Sequence, residues 1–392
     1  MRNKLWLGHL TFILSGAANT VLGPILPALA LRWSLDDVHA GQLFTAEFLG
    51  AVLGTILASP SMARVGCRRT AALGLVAMAA GVASVGLSGP RSSLACVACL
   101  GFGFGFGTPP INLWFAQADP QRSSAATNLV NASWCIGAAS SAPLIIFLSA
   151  YMTLPWILAG LAFVLLLMAA VMGAEREPLP SVPPGARASD TTTQWSVTDR
   201  REFIGVLAAI VFIYVGTESG IGGWVTSYAK RLSLFPPAGL GFAQSTFFGA
   251  LMVGRFLAPA FLRRLKPWNL VLLGLIVSCA GLALSVSASA PAPVLAGLFI
   301  AGFGFAAVFP TTVATFSDRL GAEAIRMYGW IFPLGYVGAS AIPLAMGAAS
   351  EKFHGLRYGM VVGLVCILIL IALQVQIIRI FRREAAGSPR AG

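Results

Sequence analysis

Charge is what this sequence has least of. Its 392 residues include 26 Lys and Arg, 14 Asp and Glu and three His, so charged side chains make up 10% of the chain. A soluble domain carries about a quarter. So few acids and imidazoles leave little for hydrolytic or metal chemistry. His9, His39 and His354 lie far apart in the chain, no His-Glu-x-x-His occurs, and no pair of aspartates falls within an apolar stretch. Neither an enzyme nor a resident cofactor or metal is expected. The six cysteines are scattered, five in apolar runs and Cys67 in a polar break. They read as free thiols, with Cys96 and Cys99 the one spacing that suggests a metal pair. Alternation of apolar and polar residues is missing too, which disfavours a β-barrel.

Long apolar runs are there in quantity. Hydrophobic residues form 57% of the chain and the mean hydropathy is +0.81. Runs near 20 residues recur between short polar breaks, the length that crosses about 30 Å of hydrocarbon. The expected fold is an all-α polytopic membrane protein with the lipid bilayer as its solvent. Twelve transmembrane helices are expected, at about 5–31, 38–60, 70–88, 94–117, 123–149, 154–173, 203–228, 239–262, 269–289, 292–316, 326–349 and 355–380. No cleavable leader is expected, because the first run is long and continues through Pro24 and Pro27. The longest polar piece, 174–201, holds Pro178, Pro180, Pro183 and Pro184 and reads as a linker. It separates a six-helix bundle over 1–173 from another over 202–383, followed by a tail, 384–392.

Lys and Arg placement sets the expected orientation. With both termini cytoplasmic, the cytoplasmic segments hold 19 of these residues and the opposite side six, while Arg255 lies inside a span. Such a bias places the termini inside. It also accounts for the formal charge of +12 without a nucleic-acid partner.

The halves repeat each other at an offset of 199 or 200 residues. Gly-Phe-Gly-Phe at 103–106 returns at 302–305, and Pro109 or Pro110 and Asp119 are answered by Pro310 and Asp318. Ser140 and Pro143 are answered by Ser340 and Pro343, and Gly54 and Arg64 by Gly254 and Arg264. Two such repeats joined by a linker describe an alternating-access carrier with its site between the halves. The glycine run 101–107 follows no strand, so it is not a nucleotide loop. Its spacing of four (Gly101/Gly105, Gly103/Gly107) suits close helix packing. The Asn131-Ala132-Ser133 tripeptide lies within a span and accepts no glycan.

At these positions the chain resembles the major facilitator superfamily over nearly its whole length. The family's loop after span two, Gly-x-Leu-Ala-Asp-Arg-x-Gly-Arg-Lys/Arg, is matched by SPSMARVGCRR at 59–69. Arg64, Gly66 and Arg68 fit; Ser59, Ala63 and Cys67 depart. Ala63 stands where the family has an aspartate, so the acidic partner of its inner charge relay is absent. YVGTESGIGGWVTSY at 214–228, LGPILPAL at 22–29 and INLWFAQADPQRSSAATNLVNASWCIGA at 111–138 are similar to the sugar branch that includes the fucose–proton symporters. That resemblance implies a carrier for a small polar solute, a sugar, coupled to protons. A monomer is the default for the family.

Glu218 interrupts an apolar span roughly 15 Å from its outer end at 1.5 Å per residue. Asn19, its partner at the repeat offset, is expected roughly 18 Å deep and Glu47 roughly 13 Å. A charge facing lipid there costs about 2.5–3.5 kcal/mol, so all three should face a cavity or a neighbouring helix. The functional reading is that Glu218, with Glu47 as a second candidate, loads and releases a proton as the cavity wets and dries. The alternative is a fixed hydrogen bond to a neighbouring helix. Arg255 is a candidate ion-pair partner for Glu218, but, expected roughly 10 Å from the inner end and well below it, it reads as snorkelling to the inner surface. Bends are expected at Gly23-Pro24 and in the glycine-rich stretch 216–223. Candidate substrate residues are Ser15, Asn19, Asn131, Trp134, Tyr214 and Tyr336, with packing or interhelical hydrogen bonds as the competing role for each. Asn112, Arg64 and Arg68, nearer the inner end, are candidate gate residues. His39, at the outer mouth, is either a pH sensor or an interfacial residue.

Two other transport readings stay open on the sequence. The 25 Phe and 10 Met could line an adaptable apolar pocket for proton-driven efflux of an amphiphile, and an uncoupled facilitator would use the same architecture.

Overall fold

The computed structural model of the protein describes residues 5–118, 123–174, 197–320 and 322–387. Most of the linker (175–196), the tail beyond 387, and Asp119 and Arg122 lie outside the described residues. The chain forms fourteen α-helices over these residues: α1 (Leu5–Asn19), α2 (Leu22–Trp33), α3 (Asp37–Val65), α4 (Cys67–Leu87), α5 (Pro90–Ala118), α6 (Ser123–Leu148), α7 (Leu154–Ala174), α8 (Val197–Leu232), α9 (Gly241–Leu262), α10 (Pro267–Ser287), α11 (Pro291–Phe305), α12 (Val308–Leu320), α13 (Ala322–Lys352) and α14 (Leu356–Gly387). Spans one and ten are each broken in two, so the fourteen helices make twelve passes. Eleven passes are long and apolar enough to cross a membrane by length and composition. The remaining one, α13, is 31 residues long and packs between α3 and α8. Large apolar side chains such as Leu53, Trp156, Phe163 and Leu368 cover the outside, as a bilayer-facing belt requires.

Proline positions the breaks. Pro24 has no N–H to give the carbonyl of Thr20 one turn earlier, and α1 ends at Asn19, with Val21 N–H turning tightly onto Ala18 O at 3.3 Å. The break therefore falls one turn upstream of the Gly23-Pro24 pair. Pro310 stands in the same relation to Ala306, where α11 gives way to α12. The glycine-rich stretch of span seven behaves differently from expectation: α8 runs unbroken for 36 residues. Its glycines serve close approach, with Gly216 and Gly220 facing α13, Gly222 facing Phe248 and Gly223 facing Phe44.

Glycine packing also makes the internal repeat visible. Side chains at Gly101 and Gly105 would run into the backbone of Glu47 and Ala51 on α3, and one at Gly103 into Gly74 and Met78 on α4. In the second half Gly302 meets Phe247 on α9, and Gly304 meets Gly274 and Ser278 on α10. Each Gly-Phe-Gly-Phe thus wedges the fourth span of its repeat between the second and third. Gly101→Ala is expected to sharply lower the yield of folded protein, because its Cβ would overlap the Glu47 carbonyl. Gly107→Ala, whose nearest neighbour is 3.7 Å away, should leave the yield unchanged. Size-exclusion chromatography of the two variants checks this. Overpacking costs about 1–3 kcal/mol even where neighbours can shift, and here the obstacle is backbone.

The halves meet at one end only among the contacts described. α3 packs on α13, α6 on α9, and α2 on α8. Contacts run from the end opposite the termini, called the far end below, down to Phe48 stacked on Tyr336 and to Cys135 beside Arg255.

Candidate functional site

Two polar pairs lie on equivalent helices of the two repeats. In the first, Asn19 at the end of α1 donates Nδ2–H to Glu47 Oε1 of α3 at 2.9 Å. Glu47 is 1% exposed and Asn19 7%, so the pair is sealed inside the first half and pins the α1–α2 break onto α3. In the second, Arg255 Nη2 of α9 lies 3.7 Å from Glu218 Oε1 of α8. That distance brings the charges together but is too long for a hydrogen bond. Both side chains keep about one-seventh of their surface open, 14% for Glu218 and 15% for Arg255.

The position of Arg255 corrects the sequence reading. Glu218 lies fourteen residues before the far end of α8 and Arg255 fourteen residues after the start of α9. At 1.5 Å per residue both sit about 21 Å from the far end. α8 runs four residues past the expected limit of span seven, which lowers Glu218 to the level of Arg255. The guanidinium therefore does not snorkel. Its Nη1 donates to Cys135 Sγ of α6 at 3.1 Å, across the seam between the halves, and its Nε is buried without a hydrogen-bond partner.

The remaining candidates divide into groups. Tyr214, one turn from Glu218, is 1% exposed and donates its hydroxyl to Phe305 O at 3.1 Å, at the span-ten break, with its ring against Phe305 and Phe309. Tyr336 lies across the seam between Phe48 and Phe104. Trp134 packs edge-on to Phe248, and its indole N–H is buried without a partner. Asn131 donates to Asn112 Oδ1 at 2.8 Å, joining α6 to α5. Ser15 is 8% exposed on α1. Arg68 is 7% exposed with its guanidinium 4.6 Å over the Trp114 ring, whereas Arg64 is exposed. Both belong to the first half at the termini end. None of the six cysteines is in a disulfide.

The far end carries a closure that the sequence did not suggest. Asp37, the first residue of α3, is 5% exposed although it lies at a helix end. Its carboxylate accepts from Arg231 of α8, with Nη1 to Oδ2 at 2.7 Å and a second bond from Nη2 to Oδ1, and from Ser350 Oγ of α13 at 2.5 Å. Its own N–H donates to Glu351 Oε2 at 3.3 Å. One carboxylate of the first half is thus held by two helices of the second. His39 is spent on Asp36, which caps α3; the His39 N–H holds the Asp36 carboxyl below its usual range. One turn deeper, Gln244 of α9 is fully buried and donates Nε2–H to Ser141 Oγ at 2.9 Å, Ala138 O at 3.3 Å and Thr20 O at 3.4 Å. Thr20 O is the carbonyl that Pro24 leaves without a helical partner. Gln244 was legible as an amide in an apolar span; no pattern named its partners.

Two six-span repeats with broken spans, a closed far end and an opposed charge pair at mid-depth are the architecture of a membrane transporter. The profile of the Major Facilitator Superfamily matches residues 8–343. The chain belongs to that superfamily. Its relatives include a protein of Helicobacter pylori described as a putative glucose/galactose transporter, 29% identical over 213 residues, 53% of this chain and 50% of that protein; the match spans about half the relative's length. Among solved structures, a bacterial homologue of the human lysosomal transporter Spinster, inward-facing and unoccupied, superposes with a TM-score of 0.75 at 15% identity over 97% of both chains. The E. coli fucose:proton symporter gives 0.60 at 17% identity over 94% of this chain and 97% of its own. At such identities these structures show the shared fold.

Proposed function

We propose that this protein carries a small polar solute of the sugar class together with protons, and that Glu218 is the proton carrier. The Glu218–Arg255 contact carries this reading. A carboxylate about 21 Å below a closed end, close to a cation but not bonded to it and still partly open, is placed to exchange its ionic partner for a proton. Glu47, sealed against Asn19, serves as a structural anchor in this conformation. Asn131, Asn112 and Trp134 supply amide and indole groups suited to hydroxyls, and Tyr336 supplies an aromatic face for a ring. The names of the Helicobacter relative and of the fucose:proton symporter favour a sugar. On this reading the protein sits in a bacterial inner membrane; the Lys and Arg bias favours cytoplasmic termini, and the present conformation is then inward-facing, with Asp37, Arg231 and Ser350 as the outer gate.

The test uses the purified protein in liposomes with an internal pH dye. Addition of the transported solute outside should acidify the lumen, and Glu218→Gln should abolish gradient-driven accumulation while solute exchange at equal pH persists. Accumulation by the variant at the wild-type level would remove Glu218 from coupling.

A further inference from the structure

We infer that the solute is an anion, a sugar acid or similar hydroxylated carboxylate, whose carboxylate docks on Arg255 and drives the proton onto Glu218. The inference rests on the proton-coupled reading above and adds the charge of the solute. It starts from the guanidinium. Nη1 is engaged with Cys135, Nε has no hydrogen-bond partner, and Nη2 lies 3.7 Å from Glu218, too far to bond it, with the Tyr214 hydroxyl beside both charges. A buried guanidinium normally has its donors matched, and its strongest match is a carboxylate taken by two parallel N–H bonds. The Nε and Nη2 edge of Arg255 is such a fork, and Glu218 does not fill it. α6, which carries Cys135, also carries an unpartnered donor, the indole N–H of the adjacent Trp134, and one turn earlier Asn131, bonded to Asn112 of α5.

Charge balance then gives the coupling. In the empty carrier Glu218 and Arg255 sum to zero. A bound carboxylate would bring the total to one negative charge in a space with little water, and two carboxylates at one cation cannot both stay ionised. Glu218 therefore takes one proton for each anion that binds, and the loaded carrier is again neutral. One proton and one negative charge cross together, so a monoanion is moved without net charge. After release Glu218 returns its proton and restores its contact with Arg255, which lets the empty carrier turn back. The titratable groups around Glu218 do not compete for this role. Tyr214 on its own helix lies beside Glu218 and Arg255 but gives its proton to the Phe305 carbonyl, Arg255 on α9 is the counter-charge, and Cys135 on α6 accepts from Arg255. Cys366 on α14 lies beside Thr217, and Tyr336 on α13 faces Phe48 and Phe104. On α2 the one titratable side chain, Arg32, donates to Gly86 O, and Arg319 on α12 is paired with Glu384.

The experiment compares hexuronates and aldonates with their parent hexoses, using the full chain in liposomes that carry a pH dye and a potential-sensitive dye. Thermal stabilisation of the detergent-purified protein is read in parallel as a measure of binding alone. The expected result is proton uptake with at least one sugar acid, at least tenfold faster than with its parent hexose, without a response of the potential dye. Arg255→Lys, which keeps the charge but loses the fork, should reduce that uptake tenfold or more and abolish the stabilisation. If a neutral hexose moves protons and charge while the acids neither move nor compete, the anion inference falls and proton-coupled sugar transport stands. If no sugar, neutral or acidic, binds or moves protons, both fall.

Discussion

Neutralising one member of the Glu218–Arg255 pair should destabilise the protein more than neutralising both. Glu218→Gln leaves Arg255 without a carboxylate, held by the Cys135 thiol and beside the Tyr214 hydroxyl, and Arg255→Gln removes the cation at Glu218. Breaking a buried ion pair from one side costs about 3–5 kcal/mol in a dry interior. Residual exposure of 14–15% and the loose contact bring the expectation to the low end, about 3 kcal/mol. For a chain of this length that corresponds to a loss of roughly 3–6 °C in the thermal midpoint. The double variant Glu218→Gln/Arg255→Gln should come back to within about 2 °C of wild type, because two amides bury without a charge. None of the three should accumulate solute against a gradient. A double variant as unstable as the single ones would mean that the two charges do not compensate each other. Differential scanning fluorimetry of the four proteins decides it, and the restored fold of the double variant separates loss of coupling from loss of structure.

The twelve passes were legible because hydrocarbon thickness sets a length that composition reports directly. The repeat was legible for a related reason: in both halves the fourth span carries glycines that answer the same packing demand, Gly101 and Gly302 against the second span and Gly103 and Gly304 against the third. Partner identity was not legible. Glu218 and Arg255 were both visible as charges in apolar spans, yet an error of four residues in the end of span seven set them at different depths. Asp37 drew no notice in the sequence, since no periodicity marks a residue that becomes buried only when Arg231 and Ser350 arrive from helices 194 and 313 positions away. The break in span one was legible as proline chemistry but displaced by one turn. A missing N–H acts on the carbonyl four residues earlier, so the helix ends upstream of Pro24.

Loss of the Asp37 carboxylate should open the far end. Asp37→Asn keeps the size of the side chain but replaces one carboxylate oxygen with an amide nitrogen, which cannot accept from Arg231 or Ser350. Hydrogen bonds to a charged group are worth about 1.5–3 kcal/mol each. Arg231 is 47% exposed, so water and salt recover much of its share, whereas Ser350 is 1% exposed and recovers little. A net change of roughly 1.5–3 kcal/mol in favour of the open far end follows, a shift of about 10- to 100-fold in the ratio of the two conformations. Thr45 reports it. Its hydroxyl donates to Ser340 O at 2.8 Å across the seam between α3 and α13, where a reagent can enter only after the far end parts. In a Thr45→Cys background, labelling by a membrane-impermeant thiol reagent applied from the far side should rise about tenfold or more when Asp37→Asn is added. The six native thiols set the background. Asp37→Glu, which restores the charge with one extra methylene, should give an intermediate rate. Equal labelling with and without Asp37→Asn would mean that the apolar contacts of Gly41, Phe44 and Phe48 close the far end without the ionic cluster. That is a strong competing explanation, because Gly41 lies against Leu344 and Phe44 against Gly223 and Trp224. The ionic cluster outweighs it only if one buried carboxylate contributes as much as that apolar seam, and the labelling ratio measures this contribution.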